Sequence, residues 1–266
     1  MAPKQKRREA ALTKERLEVE KQEQKMEQAA LKAKPAAWKK ELESRIPEKV
    51  YSGLESAFCK GFGVVFEQGR IIIEKGYNKE ELQEDHAIRD FAVQLKGGRK
   101  ELRQMHKSAK QFDLVNMAVT TVEGIGLGAL GVGMPDIVLF LGTLLKGVYE
   151  TALNYGFDYE SRQEKMLILK MMRTALSSGE EWVQRNGEVE QLLVLETEDF
   201  TDDQFKQQIK ETAATFAMDM LLLKFIQGLP VVGIIGGAAN PVYYSKVMKY
   251  VQLKYRKRYL LKQKGF

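Results

Sequence analysis

This sequence is short of most residues and patterns that carry chemistry. Its 266 residues include one cysteine and two histidines. A lone Cys59 excludes an internal disulfide and any site built from several thiolates. Set in the apolar stretch LESAFCKGFG, it reads as a small core residue, and it fits a reducing, cytoplasmic compartment. His86 and His106 lie in charged helical contexts without further ligands at metal spacing, so no metal and no cofactor is expected. No phosphate loop is present: GIGLGALG only grazes a dinucleotide fingerprint, and it follows a helical segment rather than a strand. There is no nucleophile elbow and no Cys/His pair. Strand-like runs are scarce too; RIIIEK and QLLVLE stand without partners. No apolar run free of charges and helix breakers reaches the ~18 residues of an ordinary membrane-spanning helix. The charged N-terminus, MAPKQKRREAALTKERLEVEKQEQK, lacks the apolar centre of a secretory leader.

What is present is helix and charge. Hydrophobic residues make up 44% and charged residues 29%, enough for a sizeable core in one large soluble domain or two small ones. The net charge of +6 is unevenly spread: residues 1–34 carry +4, residues 246–266 carry +8 with no acid, and the remainder is −6. A basic tail on an acidic body calls for an anionic partner, either lipid or nucleic acid. No nucleic-acid motif accompanies the tail, which disfavours nucleic acid.

Apolar periodicity predicts an all-α fold. Residues 1–35 read as a charged, solvated helical extension. Leu12, Val19, Met26 and Ala33 recur every seven residues there, but Glu15 and Gln22 spoil the alternate positions of a seam. Residues 36–266 make up the helical domain proper. It begins with two amphipathic helices parted at Pro47, then a helix capped by Asn78 and closed by Gly97-Gly98. Further helices are expected over 100–122, over 137–155, across DYESRQEKMLILKMMRTALSSGEEW, from a Thr201 cap to 227, and over 241–263. A helix, a glycine-rich apolar turn, a proline and a second helix occur twice, with Pro135 aligning on Pro241 and Gly131 on Gly237. The expected architecture is a helical bundle built around these two long hairpins.

The turns are the oddest feature. The first contains Gly124, Gly126, Gly128, Gly131 and Gly133 before Pro135; the second contains Gly233, Gly236 and Gly237 before Pro241. Glycine costs about 1 kcal/mol against alanine inside a helix, so this density needs a compensating contact or a break. The Gly124-x-x-x-Gly128 spacing suits close helix approach. Each apolar arm is about a dozen residues, too short to cross a bilayer of roughly 30 Å, so it either packs as a soluble core hairpin or dips into one leaflet. The final helix mixes Tyr243, Tyr244, Tyr250, Tyr255 and Tyr259 with Lys246, Lys249, Lys254, Arg256, Lys257 and Arg258. That composition suits an anionic membrane surface, or an amphipathic helix with a solvated basic face. Asp136, Lys146, Lys224 and Asn240 interrupt apolar surroundings; they cap, snorkel, or line a polar pocket for a small ligand or lipid headgroup. Glu123 and Asp219 pair with neighbouring cations, or form the carboxylate pair of a hydrolase.

GVGMPDIVLFLGTLLKGVYETALNYGFD, with Gly133, Pro135 and Tyr155-Gly156-Phe157-Asp158, resembles the first signature region of the EcsC family. LPVVGIIGGAANPVYYSKVMKYVQLKYRKRYL, with Leu229-Pro230, Gly233, Gly236, Gly237 and Asn240, is similar to that family's C-terminal region, and IPEKV at 46–50 to its opening. The likeness spans about residues 36–262; Pro241 and the extension 1–34 depart from the pattern. The resemblance implies a helical, cytoplasmic, membrane-associated protein of a family named for a neighbour of an ABC transporter. The resulting expectation is a non-enzymatic protein on the inner face of the cell membrane, bound to anionic lipid and accessory to a membrane transporter or complex. A hydrolase using buried carboxylates, or a small-ligand or lipid-binding module, is the alternative.

Overall fold

The computed structural model describes residues 3–32, 41, 44–73, 77–118, 134–195, 199–226 and 239–263. Among the described residues there are nine α-helices and no strand. They are α1 (Pro3–Lys32), α2 (Glu48–Ile73), α3 (Lys79–Lys96), α4 (Arg99–Ala118), α5 (Met134–Asn154), α6 (Arg162–Leu176), α7 (Gly179–Val194), α8 (Asp202–Ile226) and α9 (Ala239–Lys262). Helix ends follow local chemistry. The Asn78 side chain accepts from the Glu81 amide at 3.3 Å to open α3, which closes at Gly97 with φ +58°. Thr201 and Gln204 form a reciprocal capping box at α8, at 3.2 and 2.8 Å. One reading needs correction. The single helix expected through TALSSGEEW is two, because Ser177-Ser178 is extended and Gly179 has φ +64°. The strand-like residues of RIIIEK and QLLVLE fall largely in the last turns of α2 and α7; β-branched content was outweighed by the helical packing of what precedes it.

α9 runs through the centre. It packs on α1, α4, α5, α6 and α7, and every residue from 250 to 256 is buried. α5 lies beside it and runs the same way: Phe140 meets Tyr243 at 6.5 Å between ring centroids, and Tyr155 meets Tyr259 at 5.9 Å. Gly147 makes the close approach possible, since a Cβ there would lie 2.3 Å from the Tyr244 hydroxyl. α2 and α8 cover the other side of α5, where Phe58, Phe62 and Phe140 surround Phe216 at 5.6–6.2 Å.

α1 is not a solvated extension. Ala11, Leu12, Glu15 and Val19 are buried, and the helix packs against α4, α7 and α9. Of its seven-residue apolar repeat, Leu12 and Val19 are buried and Met26 packs against the core, while Ala33 lies outside the described residues; the charge that interrupts the repeat, Glu15, is answered from across the interface.

Candidate functional site

The Tyr155-Gly156-Phe157-Asp158 motif forms the corner after α5. The Phe157 amide donates to Ala152 O and the Gly156 amide to Leu153 O, both at 2.9 Å, which closes the helix in a Schellman turn. Gly156 has φ +76°, and a Cβ would fall 2.2 Å from His86 Nε2. His86 Nδ1 lies 3.0 Å from Asn154 O, and Arg89 donates to Asn154 Oδ1 at 2.9 Å. The Asn154 amide donates to Met105 O at 3.0 Å, and the Tyr155 hydroxyl lies 3.2 Å from His106 Nδ1. The Arg258 guanidinium covers the Phe157 ring at 4.1 Å. Both histidines therefore brace a corner that ties α3, α4 and α9 to α5.

Four of the α9 charges are turned inward. Lys254 has 0% side-chain exposure and is held by Glu23 of α1 and Glu190 of α7. Lys257 bridges the same two carboxylates at 2.6 Å each. Burial pushes the Glu23 carboxyl up, but attraction to Lys254 and hydrogen bonds from Lys254 and Lys257 outweigh it and hold it down at about 2. Arg256 donates to Glu15 at 2.5 Å, and Arg99 and Arg103 of α4 share that carboxylate. Burial raises the Glu15 carboxyl; hydrogen bonds from Arg99 and Arg256 win and leave it below its usual value. Arg258 grips both oxygens of Glu164 at 2.7 and 2.9 Å, and the Tyr255 hydroxyl donates to the same group at 2.7 Å. Burial, then the Glu164 charge, holds the Tyr255 hydroxyl well above its usual value.

Four of the six cations expected on an anionic surface, Lys254, Arg256, Lys257 and Arg258, are thus turned inward and matched by carboxylates; that expectation is corrected. So is the reading of the tyrosines as boundary residues: Tyr243, Tyr244, Tyr250, Tyr255 and Tyr259 are all buried. The reason is geometric. Over 250–256 five other helices leave α9 no face for water, so its polar groups there must be paired inside. Lys246 and Lys249 remain exposed.

Those two lysines sit toward one end of the bundle. α4 runs against α9, as Glu15 joins Arg99 to Arg256 and Gln252 donates to Ala109 O at 3.3 Å. α8 follows α6, through Arg162–Asp202 and Thr212 to Leu169 O, and α6 runs against α9 through Glu164–Arg258. The last residues of α4 and α8 and the first residues of α5 and α9 therefore share one end. Both glycine-rich segments attach there. Val242 is 55% exposed at this end.

A model of the EcsC protein family matches residues 12–260. The chain belongs to the EcsC family. The EcsC match starts inside α1, so the helix that supplies Glu15 and Glu23 belongs to the family domain. The matched range includes the Tyr155-Gly156-Phe157-Asp158 corner described above. No curated protein and no solved structure matches the chain.

The remaining predicted residues divide as follows. Asp136 is exposed in the first turn of α5, where its charge suits the helix N-terminus. Lys146 lies 3.9 Å from Glu150, one turn on. Asp219 lies 3.6 Å from Lys246, and burial followed by the Asp219 charge raises the Tyr243 hydroxyl. Pro135 and Pro241 fall in the first turns of α5 and α9. Glu123, Gly124, Gly128, Gly131, Gly133, Gly233, Gly236 and Gly237 lie outside the described residues, as do the side chains of Lys224 and Asn240. Cys59 packs half-buried against the core, and burial, then Glu55, raises its thiol. Among the described residues, no helix is long and apolar enough to cross a membrane, and no cluster of three His, Cys, Asp or Glu could hold a metal.

Sequence reasoning missed Glu15, Glu23, Glu164 and Glu190. A signal existed: eight basic residues and no acid in 246–266 is more charge than a docked helix tolerates alone, and the complementary carboxylates stand on α1, α6 and α7.

Proposed function

We propose that this EcsC protein is non-enzymatic and associates with a membrane through the end of the bundle that carries both glycine-rich segments. The observation that carries the reading is the shared end of α4, α5, α8 and α9. The described helix ends that flank two apolar stretches uncharged in sequence, GIGLGALGVG and QGLPVVGIIGGA, all lie there. Exposed Val242, Lys246 and Lys249 flank that end. With Lys254, Arg256, Lys257 and Arg258 turned inward and Lys262 at the opposite end of α9, contact with anionic headgroups falls to these two lysines, and contact with acyl chains to the apolar segments. The setting is the inner face of the cell membrane, where the protein would act as an accessory to a transporter or other membrane complex.

Vesicle co-sedimentation tests this. The protein should pellet with anionic vesicles, and most of that binding should survive high salt, which screens charge but not apolar insertion. Lys246→Gln with Lys249→Gln should weaken only the salt-sensitive part. Leu127→Asp with Ile234→Asp should abolish the remainder. A wild-type protein that stays in the supernatant with anionic vesicles at low salt would refute the proposal.

A further inference from the structure

A cleft of about 540 Å³ opens on the flank of the bundle, between α1, α4, the α6–α7 junction and α9. Its size is ordinary for a small-molecule site, roughly 300–1,000 Å³. Its inner surface is apolar and aromatic. Met26, Ala175 and Leu253 line it beside Trp182 and Tyr250, whose rings meet edge-on at 6.0 Å and 82°. Lys25, Lys246 and Lys249 also line it, and no Asp, Glu or Arg does among the described residues. Lys25 and Lys249 are exposed, while Lys246 lies 3.6 Å from Asp219. The neighbouring charges are already matched: Lys254 and Lys257 are held by Glu23 and Glu190. The cleft is therefore positive at the lysines and apolar within. Gln22, Ser178 and His106 contribute polar groups to its wall, and Ser178 makes no side-chain cap on α7.

We propose that this cleft binds a phosphate ester carrying an apolar or aromatic group. Two exposed lysine point charges, Lys25 and Lys249, beside a Lys246 shared with Asp219, suit a phosphate of charge near −2 better than a carboxylate of −1, whose planar partner would be arginine. Trp182, Tyr250 and the aliphatic wall then cover the organic part. A nucleic-acid strand does not fit, because the lysines border one bounded cleft rather than a continuous track. The cleft shares Lys246 and Lys249 with the proposed headgroup contact but not the apolar segments, so vesicle binding at high salt tells the two apart.

The test uses the full chain with Trp38→Phe, so that Trp182 fluorescence reports occupancy. Probes are monomeric dihexanoyl phosphatidic acid, AMP, dihexanoyl phosphatidylcholine, hexanoate and inorganic phosphate. Binding of phosphatidic acid identifies a lipid source, and binding of AMP a soluble one; either supports the site. Lys25→Gln with Lys249→Gln should then weaken binding about tenfold or more, at unchanged melting temperature, because both side chains are exposed. The proposal is overturned if neither ester binds, if hexanoate or inorganic phosphate binds as well as the esters, or if the double variant binds like wild type. The same double variant should still pellet with anionic vesicles at high salt, which separates failure of this site from failure of membrane docking.

Discussion

Replacing Glu15 with alanine gives two opposite results depending on where α1 lies. On a solvated helix the change would be neutral or slightly stabilising, since alanine is the best helix former. Here Glu15 has 1% side-chain exposure and accepts from Arg99 and Arg256, with Arg103 at 3.4 Å. Arg256, at 6% side-chain exposure, has no water to replace the lost carboxylate. Removing one partner of a buried pair costs about 3–5 kcal/mol, because the other charge is left unmatched. For a chain of this size that lowers the melting temperature by roughly 6–20 °C. Urea denaturation followed by far-ultraviolet circular dichroism measures the loss, with the exposed Lys14→Ala as a control near zero. A second arm isolates the cause. Glu15→Leu with Arg256→Leu removes both charges and should recover most of the stability, as apolar replacement of a buried pair is often neutral or better. A Glu15→Ala loss below about 1 kcal/mol, the range of an exposed ion pair, would refute the docking of α1.

The Gly156 corner and the acid response offer two further tests. Gly156→Ala combines a left-handed backbone with a Cβ 2.2 Å from His86 Nε2, so it should destabilise by roughly 2–4 kcal/mol, and His86→Ala should rescue part of that loss. Additive single losses in the urea midpoints would show that the two residues do not meet. Glu23 is held at about 2 against an ordinary 4.5, and Glu15 is also lowered. A depressed carboxyl stabilises the fold above its unfolded value and loses that contribution as pH falls through the folded one. Stability should therefore drop between about pH 4.5 and 2, more steeply than in Glu23→Gln. Equal acid sensitivity of the two proteins in pH-dependent urea melts would remove Glu23 from the account.

Local rules made several elements legible in advance. Asn78, Gly97 and Thr201 marked helix ends because capping depends on a few adjacent residues, and the 3.6-residue apolar period identified an all-helical chain. The resemblance of the Tyr155-Gly156-Phe157-Asp158 stretch to the EcsC family could be read from its letters, but its role as a brace could not. Gly156 needs both its positive φ and the His86 ring, 70 positions earlier in the chain. Helix burial was the other thing hidden. A run of lysines, arginines and tyrosines has the same composition on a membrane surface and in a charge-matched interior. Only the packing of α1, α4, α5, α6 and α7 around α9 brings Glu15, Glu23, Glu164 and Glu190 to those cations. The sequence by itself determined helix, caps and apolar period, because these follow from neighbours within a few residues. The tertiary structure alone decided which charges meet water and which meet each other, because desolvation and pairing depend on residues up to 241 positions apart.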